Sequence, residues 1–167
     1  VRRNFPQVPF LALTASATPQ VVDDIAAKLE MRHPSRFAMS FERANISFLV
    51  RHAESKIEKL LQILQNMPGC AIVYVRSRKR TREIAETLAG AGVSATFYHA
   101  GLDADTKAER QEQWQSDNVR VMVATTAFGM GIDKPDVRIV VHFDIPSTLE
   151  EYYQEAGRAG RDGLPSI

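Results

Sequence analysis

Residues 71–78 of this chain read Ala71-Ile72-Val73-Tyr74-Val75-Arg76-Ser77-Arg78, an apolar run that passes directly into a basic segment. Five successive apolar residues of this kind are typical of a strand that is buried on both faces. The basic segment opens a helical pattern over residues 79–90, in which Ile84, Ala85 and Leu88 fall on one side. Repeated passages from strand to helix predict an α/β fold, a three-layer sandwich with a mainly parallel sheet and helices on both faces.

The same alternation continues along most of the 167 residues. Apolar runs predict further strands over residues 9–14, 46–50, 93–98, 119–124 and 137–143. Capping signals and apolar periodicity predict helices that begin after Thr18, Ser55 and Ser147, and a further helix over residues 105–116. Residues 32–44 lose the periodicity, and we interpret them as a linker.

Composition narrows the class of protein. There are 21 basic and 20 acidic residues, so the net charge is +1 and any contact with nucleic acid must depend on a local cluster. The single cysteine, Cys70, excludes a disulfide framework and predicts a buried thiol in a reducing compartment. No apolar run approaches the roughly 20 residues that span a bilayer. The chain begins with valine, and we expect it to be part of a longer protein.

Polar residues follow several of the predicted strands, at the edge where parallel sheets bind their ligands. They are Arg76-Ser77-Arg78, His99-Ala100-Gly101, Thr125-Thr126 and His142-Phe143-Asp144. Cations in a first helical turn oppose the helix dipole, so the basic run favours an anionic partner over a solvated helix face. His99 alone is more typical of a packing residue. Asp133, in the loop after residue 124, is equally consistent with a ribose contact and with a cap.

Two arginines stand close together near the end of the chain, in Gln154-Glu155-Ala156-Gly157-Arg158-Ala159-Gly160-Arg161-Asp162-Gly163. Glycine lets a backbone approach a ligand closely, and the guanidinium fork matches phosphate oxygens. This pairing suits a site where charge develops on a phosphoryl group. The chain has no G-x-x-x-x-G-K-[ST] pattern to cradle a nucleotide and no metal-ligand spacing, so we predict no metal held by this chain alone.

Together these segments resemble the superfamily 2 helicases, and specifically the RecQ family of DNA helicases. Residues 13–18 resemble motif III, residues 40–46 the segment that enters the second RecA-like lobe, residues 72–78 motif IV, residues 98–102 the DNA-contacting segment after it, residues 124–135 motif V and residues 152–163 motif VI. Phe128-Gly129-Met130-Gly131 and Tyr153-Gln154-Glu155 are similar to RecQ proteins rather than to DEAD-box RNA helicases. The match follows the family's order over nearly the whole chain.

The resemblance implies a RecA-like fold in two parts, divided here into residues 1–38 (the end of the first lobe with motif III, and a linker) and residues 39–167 (the second lobe). In RecQ proteins Walker A and the DEAH box precede motif III, so ATP and Mg²⁺ are expected between lobes in the intact motor and neither on this chain alone. The intact protein is then an ATP-dependent 3′→5′ DNA helicase, and the isolated chain hydrolyses no ATP.

The resemblance also implies roles for single residues. Arg161, with Arg158 beside it, is expected to act as an arginine finger on the γ-phosphate. Three residues are expected to bind or orient nucleotide: Gln154, Gly131 and Asp133. Those expected to hold single-stranded DNA are Arg76, Ser77, Arg78, His99, Gly101, Thr125 and Thr126. Those expected to couple the lobes through motif III are Thr14, Ser16 and Thr18.

Two other functions stay open at this stage: an RNA helicase of the DEAD-box type, and a binding module without catalysis. The expected partners are single-stranded and duplex DNA and the first RecA-like lobe. We expect a monomer that associates with no membrane, in a bacterial cytoplasm and at the nucleoid.

Overall fold

The computed structural model describes residues 4–14, 17–40, 42–129 and 132–167. The chain divides into two compact units, Val1–Glu42 and Arg43–Ile167. Among the described residues, no helix combines the length and the apolar character that crossing a membrane requires.

The first unit contains one helix, α1 (Pro19–Lys28), among its described residues. The Thr18 hydroxyl accepts a hydrogen bond from the N–H of Val21 at 3.4 Å, and proline occupies the first helical position, as predicted. The apolar residues predicted to face inward are half-buried: Val22, Ile25, Ala26 and Leu29.

The predicted strand over residues 9–14 is wrong. These residues have no regular structure, and the side chains of Leu11 and Leu13 are each 84% exposed. A strand is held by hydrogen bonds to a neighbouring strand, and the described part of this unit has none to offer. An apolar run alone therefore does not make a strand here.

The second unit is built on a parallel four-stranded sheet. Its strands are β1 (Cys70–Tyr74), β2 (Ala95–Tyr98), β3 (Val121–Ala124) and β4 (Val137–His142), in the order β2-β3-β1-β4. Tyr74 is in register with Ala124 and with His142, and Ala124 with Tyr98, so the carboxyl ends of all four strands are level. The predicted parallel sheet is confirmed.

The described residues of this unit also form four helices: α2 (Lys56–Asn66), α3 (Arg78–Gly90), α4 (Ala104–Gln115) and α5 (Leu149–Ala156). Each begins at a side-chain oxygen that accepts an N–H from the first turn. The capping residues are Ser55, Ser77, Asp103 and Thr148.

The predicted cap of α5 at Ser147 is wrong by one residue. Ser147 and Thr148 both stand three residues before a glutamate, so the sequence pattern fits either one. Thr148 is the residue whose hydroxyl accepts the N–H of Glu151, at 3.1 Å. The Glu151 carboxylate in turn accepts the N–H of Ser147 at 2.5 Å.

Alternating side chains of the strands form two apolar clusters, one on each face of the sheet. On one face Ala71 and Val73 pack with residues of α2 and α3: Leu60, Leu64, Ile84, Ala85 and Leu88. On the other face Ile72 and Tyr74 pack with Trp114 of α4 and with Phe128. The Trp114 indole N–H donates to the carbonyl of Ala71 at 3.2 Å, so its polar atom is satisfied in the core. The predicted three-layer sandwich is confirmed.

The predicted strand over residues 46–50 is reduced to a single bridge. Ile46 pairs with Ser166 and is buried, whereas Phe48, Leu49 and Val50 are exposed. Among the described residues Ile46 and Ser166 form an isolated bridge, and residues 47–50 have no regular structure.

Candidate functional site

The residues that follow the four strands lie side by side at one edge of the sheet. Backbone hydrogen bonds join them: Val75 N–H to Ala124 at 2.8 Å, Thr125 N–H to Tyr98 at 3.2 Å and Phe143 N–H to Tyr74 at 3.0 Å. The sheet therefore brings together segments that are distant in sequence, at the edge where α/β proteins bind ligands.

The basic run at the start of α3 is largely paired with acidic side chains. Asp144 accepts the backbone N–H of Arg76 at 3.1 Å and the Arg80 guanidinium at 3.2 Å. Farther along the helix, Lys79 pairs with Glu83 and Arg82 pairs with Glu86. Arg78 forms no ion pair with another described residue. The local positive charge available to a ligand is thus smaller than the sequence suggests.

Arg76 and Ser77 both have partners within the fold. The Arg76 guanidinium donates to the hydroxyl of Ser147 at 2.9 Å. The Ser77 hydroxyl accepts the N–H of Arg80 at 3.5 Å and so caps α3. A capping hydroxyl retains a proton that it can donate to a second group.

Arg78, His99 and Gly101 converge at one point, as their shared predicted role requires. A methyl group built on Gly101 would lie 3.3 Å from both the Arg78 Nη1 and the His99 Nδ1 atoms. Burial lowers the pKa of the His99 ring, and the charges of Arg78 and Arg110 lower it further, so the ring is neutral at pH 7. His99 Nδ1 is buried and has no hydrogen-bond partner among the described residues.

The two threonines after β3 differ in exposure. Thr125 is buried, and its carbonyl accepts the N–H of Phe128 at 2.9 Å in a tight turn. Thr126 is exposed. Of these two predicted DNA contacts, Thr126 is the one whose side chain is accessible.

The Arg158 guanidinium lies against the backbone of Gly129. A methyl group built on Gly129 would be 2.3 Å from the Arg158 Nη2 atom. Arg158 Nε is buried and has no hydrogen-bond partner within the described part of the chain. The guanidinium also reaches Tyr74; burial raises the pKa of the Tyr74 phenol, and the Arg158 charge acts in the opposite direction. Arg158 is therefore placed at the sheet edge, between Gly129 and Tyr74.

Arg161 faces the same loop from a more open position. Its Nη1 atom donates to the Asp133 carboxylate at 2.8 Å and to the carbonyl of Ile132 at 3.3 Å. The Asp133 side chain is 86% exposed, so this ion pair contributes little and is easily exchanged. The two arginines thus approach one loop, Arg158 at Gly129 and Arg161 at Asp133.

A buried pair beside Arg158 was missed by the sequence reasoning. Glu155 is only 5% exposed, and its Oε2 atom lies 2.9 Å from the Nε2 atom of His142. The His142 ring stacks on Tyr74 at 5.7 Å. Glu155 Oε1 has no partner among the described residues. Glu155 and His142 are thirteen residues apart, and no pattern in the sequence marked them as partners.

The remaining predicted residues fall into three groups: two outside the described ranges, one on α5 and two in the first unit. Gly131 and Ser16 are outside the described residues. Gln154 is exposed on α5. Thr14 is exposed and Thr18 caps α1, both in the first unit. The described residues contain no group of three His, Cys, Asp or Glu side chains that could hold a metal ion.

Comparison with known proteins identifies the chain. Residues 55–163 match the helicase conserved C-terminal domain family. The ATP-dependent DNA helicase RecQ of Pasteurella multocida is 45% identical over 163 residues, which cover 97% of this chain and 26% of that protein. The RecQ-like DNA helicase blm-1 of Caenorhabditis elegans is 46% identical, covering 96% of this chain and 17% of that protein. The chain therefore spans about a quarter, or less, of these relatives.

The fold is also found in a solved helicase structure. The Escherichia coli DEAD-box protein SrmB, bound to the regulator of ribonuclease activity A, superposes with a TM-score of 0.61 and is 32% identical over 66% of each chain. This similarity confirms the RecA-like fold. The chain belongs to the helicase conserved C-terminal domain family and, within it, to the RecQ helicases.

Proposed function

We propose that this chain is the second motor lobe of an ATP-dependent RecQ-type helicase that separates duplex DNA by moving 3′→5′ on a single strand. The observation that carries the proposal is the approach of Arg158 and Arg161 to one loop at the carboxyl edge of the sheet. Guanidinium groups placed where phosphate charge develops lower the barrier to phosphoryl transfer.

The two arginines have donors that fit the γ-phosphate of ATP. The Arg158 guanidinium lies against the backbone of Gly129, and among the described residues Arg161 is engaged by an exposed carboxylate and a carbonyl. In our proposal Arg161 stabilises the transition state and Arg158 supports it. An arginine finger is worth about 10³- to 10⁵-fold in kcat in other phosphoryl-transfer systems.

The remainder of the ATP site is assigned to a first RecA-like lobe. The chain contains no G-x-x-x-x-G-K-[ST] sequence, and its described residues contain no cluster fit for a metal ion. The first lobe would therefore cradle the phosphates and hold Mg²⁺, which would neutralise phosphate charge. Residues 1–38 are proposed to be the end of that lobe and the linker, with Thr14, Ser16 and Thr18 coupling the two lobes. Gln154, Gly131 and Asp133 are proposed to orient the nucleotide.

The proposed DNA path crosses the sheet edge beside the arginines. The meeting of Arg78, His99 and Gly101 supports this assignment, because a cation, a neutral imidazole and an open glycine backbone suit a phosphodiester. The remaining proposed contacts are Arg76, Ser77, Thr125 and Thr126. These residues would contact the sugar-phosphate backbone of the DNA and read few of its bases. We place the intact protein in a bacterial cytoplasm, at the nucleoid, where it would act in DNA repair and recombination.

The arginine assignment is tested by Arg161→Ala in the full-length protein. We expect DNA-stimulated ATP hydrolysis to fall by about 10³-fold or more, while a fluorescent ATP analogue binds with an affinity near that of the wild type. Arg51→Ala is the matched control, because Arg51 is exposed and its guanidinium contacts the carbonyl of Val50. Wild-type turnover in Arg161→Ala would reject the assignment. If the full-length protein unwinds RNA duplexes in preference to DNA duplexes, the proposal that DNA is its substrate is rejected.

A further inference from the structure

The segment that opens the second unit, residues 43–47, lies against the backbone of the arginine segment, residues 157–164. We propose that Arg43 and Asn45 are positioning residues that fix the orientation of Arg158 and Arg161 by holding the peptide groups between them. The inference rests on the proposed function of the two arginines.

Arg43 holds the carbonyls that stand between the two arginines. Its Nη2 atom donates to the carbonyl of Gly160 at 2.8 Å and to the carbonyl of Ala159 at 3.2 Å. A charged donor forms stronger hydrogen bonds to a carbonyl than a neutral donor does. Rotation of either peptide group would break one of these bonds and would redirect the Cα–Cβ bond of Arg161.

Asn45 holds the same turn from a second direction. Its Nδ2 atom donates to the carbonyl of Gly160 at 2.8 Å and to the carbonyl of Leu164 at 3.0 Å. Gly160 has a φ of +53°, and a methyl group built on it would lie 2.4 Å from Asn45 Nδ2. The turn therefore needs glycine both for its backbone conformation and for the close approach of the Asn45 amide.

The opposite side of the turn is bonded to β4, so the turn is held from two sides. We call Arg43, Asn45 and these contacts with β4 the clamp. The N–H of Gly160 donates to the carbonyl of Val137 at 2.9 Å. Arg138 forms an ion pair with Asp162. With the backbone held between β4 and residues 43–45, the two arginine side chains are left to extend toward Gly129 and Asp133.

Backbone hydrogen bonds keep residues 43–47 in place. Ser166 donates its N–H to the carbonyl of Asn45 at 2.9 Å, and its carbonyl accepts the N–H of Ser47 at 2.8 Å. Ile46, between these two residues, is buried. Arg43 and Asn45 therefore act from an anchored backbone.

The test uses Asn45→Asp and Arg43→Ala in the full-length protein. The aspartate is nearly isosteric, but it places a carboxylate oxygen against two carbonyl oxygens and repels the turn. We expect kcat for DNA-stimulated ATP hydrolysis to fall by about 10- to 10²-fold, since small misplacements of catalytic groups cost this much. The KM for ATP and the affinity for a fluorescent ATP analogue should change less than about threefold, because the clamp acts on the transition state.

The control is Asn118→Asp, in which the same change occurs at an amide that donates to the hydroxyl of Ser116 at 3.0 Å. Asn118 is exposed, so a carboxylate at this position stays solvated and wild-type kcat is expected. Arg43→Lys retains a charged donor and should recover part of the activity that Arg43→Ala loses. Because Asn45 acts through the two arginines, Asn45→Asp should cause no further loss of single-turnover rate when both Arg158 and Arg161 are replaced by alanine.

The outcomes separate this inference from the function on which it rests. If Arg161→Ala is inactive while folded Asn45→Asp and Arg43→Ala turn over at the wild-type rate, the positioning roles are rejected and the arginine assignment stands. If Arg161→Ala is fully active, both are rejected. An equal loss from Arg43→Lys and Arg43→Ala, with a matching fall in thermal stability, would assign Arg43 to folding alone. If Asn45→Asp does not fold, the Arg43 pair of variants decides.

Discussion

At the scale of single residues, the site depends on glycines that admit a larger neighbour. Gly129 leaves room for the Arg158 guanidinium, and Gly101 leaves room for Arg78 and His99. Gly160 admits Asn45 and also requires a positive φ. Each of these glycines brings a backbone close to a side chain that we assign to binding, catalysis or positioning. Substituting them therefore tests the placement of their neighbours more directly than removing the neighbours does.

Gly129→Ala should displace Arg158 without unfolding the protein. The three atoms nearest to the added methyl group all belong to the flexible Arg158 side chain, and the Gly129 backbone is outside the left-handed region, so alanine can adopt it. We expect ATP turnover of the full-length protein to fall by about tenfold or more, with a thermal midpoint within about 3 °C of the wild type. Gly90→Ala, where nothing lies within 4 Å of the added group, should leave turnover unchanged. Wild-type turnover in Gly129→Ala would show that the observed position of Arg158 is unimportant.

At the scale of elements, α3 combines a structural role with a proposed binding role. Its first turn carries Arg78, Lys79 and Arg80, which oppose the helix dipole, and only some of this charge is neutralised by Asp144 and Glu83. The Ser77 cap stabilises the same turn. An anion bound there would be favoured by both the cations and the free N–H groups.

Substitutions at Ser77 separate its cap from its proposed DNA contact. Ser77→Ala should lower the free energy of unfolding by about 1 kcal/mol, because the cap is lost. Ser77→Asp keeps a capping oxygen, so stability should be retained while the carboxylate repels DNA. The control is Ser55→Asp, at the corresponding cap of α2, for which fluorescence anisotropy with single-stranded DNA should give wild-type affinity. If Ser77→Asp also binds DNA normally, Ser77 is a cap only.

At the scale of the whole molecule, the features that could be predicted from the sequence are those that depend on neighbouring residues alone. Strands β1 and β3 are continuous apolar runs, β4 is apolar at four of its six positions, and the caps at Ser55 and Thr18 are local, so sequence patterns were sufficient. The runs at residues 9–14 and 46–50 are also largely apolar, but whether they pair depends on distant strands. Likewise, Glu155 and His142 are recognisable as a pair only once α5 is packed on β4.

The distribution of charge determines how strongly the affinity for DNA should depend on salt concentration. The net charge is +1, and most cations of the basic run are paired, so few side chains can displace counterions from DNA. If Arg78 contacts a phosphate, Arg78→Gln in the full-length protein should reduce the magnitude of the slope of log K against log salt concentration by about 0.7 for single-stranded DNA. Arg82→Gln is the matched control, because Arg82 already pairs with Glu86 at 2.7 Å, and its slope should equal that of the wild type. Equal slopes for Arg78→Gln and the wild type would remove Arg78 from the DNA path, whereas a reduced slope in Arg82→Gln would place the DNA farther along α3.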